Sequence, residues 1–194
     1  MGTVTIRQKP KRKSGDNKMT PLTYAIYKGT GGKFGALQFR LSAPHFYCGK
    51  EKDYTGSKAF EVVDGKSQLK QGWQSRDGAI FLEATSAKDK NVYDWENKIV
   101  MALSVNDMGK VLLTLVTGNE CSIMHDPDAK SEKAGTIRKF LNIISPNGTT
   151  QGCMVSVSMS AAGQTKKHTV PMTGDEVMVL RQLLQTAISK ALSW

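Results

Sequence analysis

The chain has 194 residues, with 27 Lys and Arg against 17 Asp and Glu, a net charge of +10 and a pI near 9.5. That length can bury one substantial core, and the charge favours a polyanionic partner. No run approaches the ~20 apolar residues of a membrane-spanning helix.

Half of the net charge sits in residues 1–18, where Arg7, Lys9, Lys11, Arg12, Lys13 and Lys18 face only Asp16. So few apolar residues cannot offset the entropy of ordering, so residues 1–19 read as a flexible basic arm and residues 20–194 as one domain. No apolar stretch of the secretory kind follows the positive start, which predicts a soluble, cytoplasmic protein. Cys48, Cys121 and Cys153 are odd in number and widely spaced, as suits reduced thiols rather than a disulfide framework.

Past the arm, polar and apolar residues alternate with the period of half-buried strands. Residues 23–28 and 36–41 flank a glycine-rich turn, and residues 79–84 and 98–103 follow, which makes four strands. Ser104 then offers a helix cap with Asp107 three positions on, and Met108, Val111, Leu112 and Leu115 recur at helical spacing. The order repeats: strands at 121–125, 136–143, 154–159 and 167–170, a stop at Pro171, and a second cap at Thr173 and Glu176. Behind that cap Val177, Leu180, Leu184, Ala187, Ile188 and Ala191 form one apolar stripe. Four strands, helix, four strands, helix predicts an α+β fold of two antiparallel four-stranded sheets with two helices. Residues 42–78 form a long connection, expected to hold a hairpin near Phe60 to Val63 or to serve as a binding loop.

The richest segment runs from Tyr24 to Arg40, where Tyr24, Tyr27, Phe34 and Phe39 alternate with Lys28, Lys33 and Arg40. Rings can stack on any base while cations neutralise phosphates, the combination that sequence-tolerant single-strand binding requires. Alternation sends some of these side chains into the core instead. Gly32-Lys33 is not a phosphate-binding P-loop, because Tyr27 and Phe34 occupy positions that need Gly and Ser or Thr. His45 and Cys48 lack a second ligand pair, and His125-Asp126-Pro127 reads as a turn, so neither a metal, a cofactor nor catalysis is expected.

Tyr93-Asp94-Trp95-Glu96-Asn97-Lys98, running into Leu103-Ser104-Val105 and Met108-Gly109, resembles the YDW…K…LSV…G stretch of the Whirly family. Tyr24-Ala25-Ile26-Tyr27-Lys28-Gly29, Ser42-Ala43-Pro44-His45-Phe46, His125-Asp126-Pro127, Arg138-Lys139, Ser156-Val157, Val170-Pro171-Met172-Thr173 and Trp194 are similar to further family positions, in order. The resemblance implies crosswise packing of the two sheets, a tetramer assembled through the helices, and single-stranded DNA held along strand surfaces and between subunits. Base stacking is then expected from Tyr24, Tyr27, Phe34 and Phe39, and phosphate contact from Lys28, Lys33, Arg40, Lys98, Arg138 and Lys139. Roles in replication, recombination or repair, in a bacterial or viral setting, complete the expectation. A DNA-binding transcription regulator or a single-stranded RNA binder stays open beside it.

Overall fold

The computed structural model describes residues 23–30, 33–129, 131–145 and 148–192; the basic arm, Gly31-Gly32 and Trp194 lie outside them. The first sheet has the order β1 (Thr23–Thr30), β2 (Lys33–Ser42), β8 (Ala79–Asp89), β10 (Ile99–Leu103), antiparallel throughout, with the two-residue β9 (Val92–Tyr93) on β8. The second has the order β11 (Cys121–His125), β12 (Ile137–Ile144), β13 (Cys153–Ala161), β14 (Gln164–Met172). Helix α1 (Val105–Thr117) separates the two sheets in sequence and α2 (Gly174–Ala191) follows the second. The expected α+β order is therefore present.

Registers show why the alternating residues fold this way. Directly paired residues share a face, so Ile26, Leu37, Ala84 and Ile99 form one inward row and Tyr24, Phe39, Leu82 and Met101 the next. In the second sheet Cys121, Ile143, Val155 and Val170 form a matching row. These rows and the apolar sides of the helices make one contiguous core, in which each fully buried aliphatic side chain contributes about 1.5–3 kcal/mol. β14 packs against β1, β2 and β8, while β13 meets β10. A single strand touching three neighbours of the other sheet must run across them.

Local chemistry sets the element ends. The Asp107 carboxylate accepts the Ser104 N–H at 3.0 Å while the Ser104 hydroxyl accepts the Asp107 N–H, completing the capping box of α1. Glu176 accepts the Thr173 N–H at 2.8 Å at the start of α2. Pro171 lies inside β14 rather than ending it, because β14 is an edge strand and the missing N–H costs no ladder bond. Gly35 is required by close packing: a Cβ there would lie 1.8 Å from the Thr85 carbonyl oxygen.

Residues 42–78 form a small lobe. It has a sheet of order β4 (Glu51–Asp53), β3 (His45–Cys48), β7 (Gln74–Arg76), and a hairpin of β5 (Phe60–Val63) and β6 (Lys66–Leu69). The hairpin read at Phe60 is present, with three further short strands that too few apolar residues made invisible to periodicity. Phe46 and Phe60 meet edge to face at 4.9 Å. The Asp53 carboxylate accepts N–H bonds from Thr55, Gly56, Lys58 and Ala59 at 2.7–3.1 Å. Burial alone would raise its pKa, but these bonds outweigh it and hold the carboxyl well below the usual range. All three cysteines are free; burial, helped by Glu176, pushes the Cys153 thiol up to about 11.

Candidate nucleic-acid interface

The outward rows of the first sheet follow from the same registers. Thr23, Arg40, Phe81 and Ala102 form one row, Ala25, Gln38, Glu83 and Val100 the next, and Tyr27, Ala36 and Thr85 a third. In that third row Ala36 and Thr85 are buried, the Thr85 hydroxyl donating to the Asp94 carbonyl, and only Tyr27 is exposed. The Arg40 guanidinium lies over the Phe81 ring, 5.0 Å from its centroid, and 3.8 Å from Glu83. Lys98 Nζ reaches Glu83 Oε2 at 2.6 Å. Tyr27 is 53% exposed and its ring lies 5.2 Å from that of Tyr93. Burial, then the neighbouring Tyr27, raises the Tyr93 phenol, so it stays neutral near pH 7 and repels no phosphate.

The residues read from the sequence separate into groups. Tyr27, Arg40 and Lys98 gather on this outward face, and Lys33 and Phe34 are exposed where β2 begins. Phe34 holds a left-handed φ of 63°, a conformation that a bulky residue seldom takes.

Tyr24 and Phe39 go inward instead, stacked at 6.5 Å, with Phe39 buried in the core and Tyr24 packed against it. Period-2 alternation places them there, and they are not available to bases. Burial, then the Glu176 and Asp175 charges, pushes the Tyr24 phenol up to about 12.

Lys28 also departs from the open face: its Nζ pairs with Glu176 at 3.0 Å, tying β1 to the start of α2. On the second sheet Arg138 is exposed in an outward row with Ser160 and Thr165. Lys139 points the other way and donates to the Val100 carbonyl at 2.8 Å, and Lys166 donates to the Asn97 carbonyl. Lys139 thereby covers a backbone acceptor of β10, an edge strand of the first sheet, and Lys166 one in the 3-10 turn, Trp95–Asn97, that precedes it.

Sequence reading missed Phe81 and Tyr93, together with the outward row Met124, Phe140, Ser158 and Lys167 beside Arg138. The alternation of Phe81, Glu83 and Thr85 was a usable signal for the first, since only pairing to Arg40 was lacking. Among the described residues no group of three or more His, Cys, Asp or Glu could hold a metal ion. No described helix is long and apolar enough to cross a membrane.

Residues 26–183 match the family described as Whirly transcription factor. The chain belongs to the Whirly family. It is similar to the chloroplastic single-stranded DNA-binding protein WHY1 of Solanum tuberosum, at 27% identity over 172 residues covering 88% of this chain and 54% of that protein. It is similar also to the mitochondrial single-stranded DNA-binding protein WHY2 of Arabidopsis thaliana, 29% identical over 121 residues, covering 61% of this chain and 50% of the relative. The Whirly chain thus spans about half the length of these curated relatives. Among solved structures, the plant transcriptional regulator PBF-2 superposes with a TM-score of 0.70 at 25% identity, covering 92% of this chain and 86% of the other. WHY3 of Arabidopsis thaliana shares the fold, with a TM-score of 0.69 at 23% identity and 92% of each chain covered.

Proposed function

We propose that this Whirly chain binds single-stranded DNA with weak sequence preference, on the outward faces of its two sheets, and acts in replication, recombination or repair. The supporting observation is the clustering of Tyr27, Tyr93, Arg40, Phe81 and Lys98 on one sheet face, where rings can take bases and cations phosphates. Relatives named as single-stranded DNA-binding proteins support the choice of ligand. Tyr27, Lys33, Phe34, Arg40, Lys98 and Arg138 are the proposed contacts. Lys28 and Lys139 contribute positive potential while holding the structure together. The reading includes no catalytic step.

Assembly as a homotetramer belongs to the same reading. The helices pack on each other yet leave Leu113 and Val116 of α1 and Met178 and Val179 of α2 exposed, apolar surface that subunit contact would remove from water. The relatives named above are chloroplastic and mitochondrial, so the expected bacterial or viral cytosolic setting is not carried forward.

A second reading, a DNA-binding transcription regulator, is favoured by the likeness to PBF-2. Anisotropy titrations of matched single-stranded DNA, single-stranded RNA and duplex DNA at two salt concentrations separate the readings. Preference for single-stranded DNA with strong salt dependence is expected. Equal or tighter duplex binding would favour the regulator, tighter RNA binding would move the function to RNA, and absence of binding would remove the proposal. Light scattering gives the mass, and a monomer would eliminate the tetramer.

A further inference from the structure

The lobe inserted between β2 and β8 carries its own pattern of rings and cations, on a face the sheets of the main domain do not share. In its three-stranded sheet Lys52 pairs with Tyr47 and Tyr47 with Gln74, while His45 pairs with Arg76. Direct partners share a face, so these side chains stand on one side. The Tyr47 hydroxyl donates to Gln74 Oε1 at 2.5 Å, and the His45 ring lies 6.3 Å from Tyr47 and 5.2 Å from Tyr54. Phe46 points to the opposite side, where it meets Phe60 and closes the lobe's small core.

Three features make this face a preformed platform rather than a solvated surface. Tyr54 is 60% exposed although it is the largest side chain at the tip of β4, and the Asp53 hydrogen bonds fix the turn that carries it beside His45. Lys52 and Arg76 are exposed and flank the rings from the two outer strands. The carboxylates of β4 are engaged elsewhere, Glu51 with Lys58 at 2.7 Å and Asp53 with backbone N–H groups. With those two carboxylates engaged, Lys52 and Arg76 place positive charge beside exposed aromatic side chains, which is complementary to a polyanion whose bases are unstacked. The lobe is also anchored, since the Gly78 N–H donates to the Ala191 carbonyl at the end of α2, at 3.3 Å.

We infer that the lobe face formed by Tyr47, Tyr54, Lys52 and Arg76 is a second subsite for single-stranded DNA, taking an unstacked base on Tyr54 and phosphates on the two cations. This inference rests on the single-stranded DNA reading proposed for the main sheets. It extends the path of a bound strand beyond them.

The test compares the full chain with a Tyr54→Ala, Lys52→Ala, Arg76→Ala variant, and with the charge reversal Lys52→Glu, Arg76→Glu, on oligothymidylates of about 8 and about 32 nucleotides. These side chains are exposed, and far-UV circular dichroism checks that each variant is folded. A strand long enough to reach the lobe should lose roughly tenfold in affinity, more for the charge reversal, while the short strand binds as before. In addition, photocrosslinking of the long strand substituted with iododeoxyuridine should label the peptide containing Tyr47 or Tyr54. Unchanged binding of the long strand without that crosslink overturns the subsite, and so does equal weakening at both lengths. If the unaltered chain binds neither length, the failure lies with the single-stranded DNA reading, and the subsite falls with it.

Discussion

Lys98 Nζ and Glu83 Oε2 stand 2.6 Å apart on the outward face of the first sheet, so a cation proposed for phosphate contact is held by a carboxylate 8% exposed at its side chain. Arg40 leans toward the same carboxylate from β2. Glu83 thereby orients two cations and sets how much positive charge the face presents. Pairing the cations in advance limits their motion, but it also subtracts from the field that a polyanion meets.

Glu83→Gln should therefore tighten single-stranded DNA binding by roughly three- to fivefold near 0.1 M salt and steepen the salt dependence, because phosphates no longer compete with the carboxylate. Anisotropy titrations across a salt series measure both quantities. Weaker binding would show that orientation of Arg40 and Lys98 matters more than their free charge.

The contact between His125 Nε2 and Asp107 Oδ2, 3.0 Å long, joins β11 to the first turn of α1 and leads to a pH prediction. Burial alone would raise the Asp107 carboxyl, but bonds from the Ser104 hydroxyl and N–H and the neighbouring His125 hold it below the usual carboxylate range. A carboxyl with a lowered native pKa adds stability that is full above its unfolded value of about 4, and is lost as pH falls through the native value. Asp107→Asn should cost about 1–2 kcal/mol at pH 7, and the difference from the parent should shrink toward zero near pH 2. Urea denaturation at several pH values checks this; a difference independent of pH would assign the effect to packing.

Two glycines should respond to alanine in opposite directions. At Gly35 the new Cβ would sit 1.8 Å from the Thr85 carbonyl oxygen, forcing β2 away from β8, so Gly35→Ala should cost about 3 kcal/mol or more. At Gly109, within α1, a Cβ meets nothing within 4 Å, so Gly109→Ala should stabilise by about 0.5–1 kcal/mol through helix propensity alone. Thermal melts of the two variants against the parent decide both.

Local patterns accounted for the α+β order, both capping boxes and most of the core. Period-2 alternation marked the strands of the two main sheets, helical spacing marked Met108, Val111 and Leu115, and Ser104 with Asp107 marked where α1 starts. These features follow from residues close in sequence, so they were legible without a structure.

Partnership across strands was not. Which of Tyr24, Tyr27, Phe34 and Phe39 face the core depends on where the sheets meet. Only the register reveals that Arg40 lies over Phe81, and only packing of the sheets sends Lys139 to Val100 rather than to solvent. Lys28 was diverted to Glu176, a residue 148 positions away, and no local pattern carries that information. The sequence by itself determined the kinds of side chain that alternate on each strand, because pleat geometry is local. Tertiary structure alone decided which became core, which became clamps and which remained open to a ligand, because burial and charge pairing depend on segments far apart in the chain.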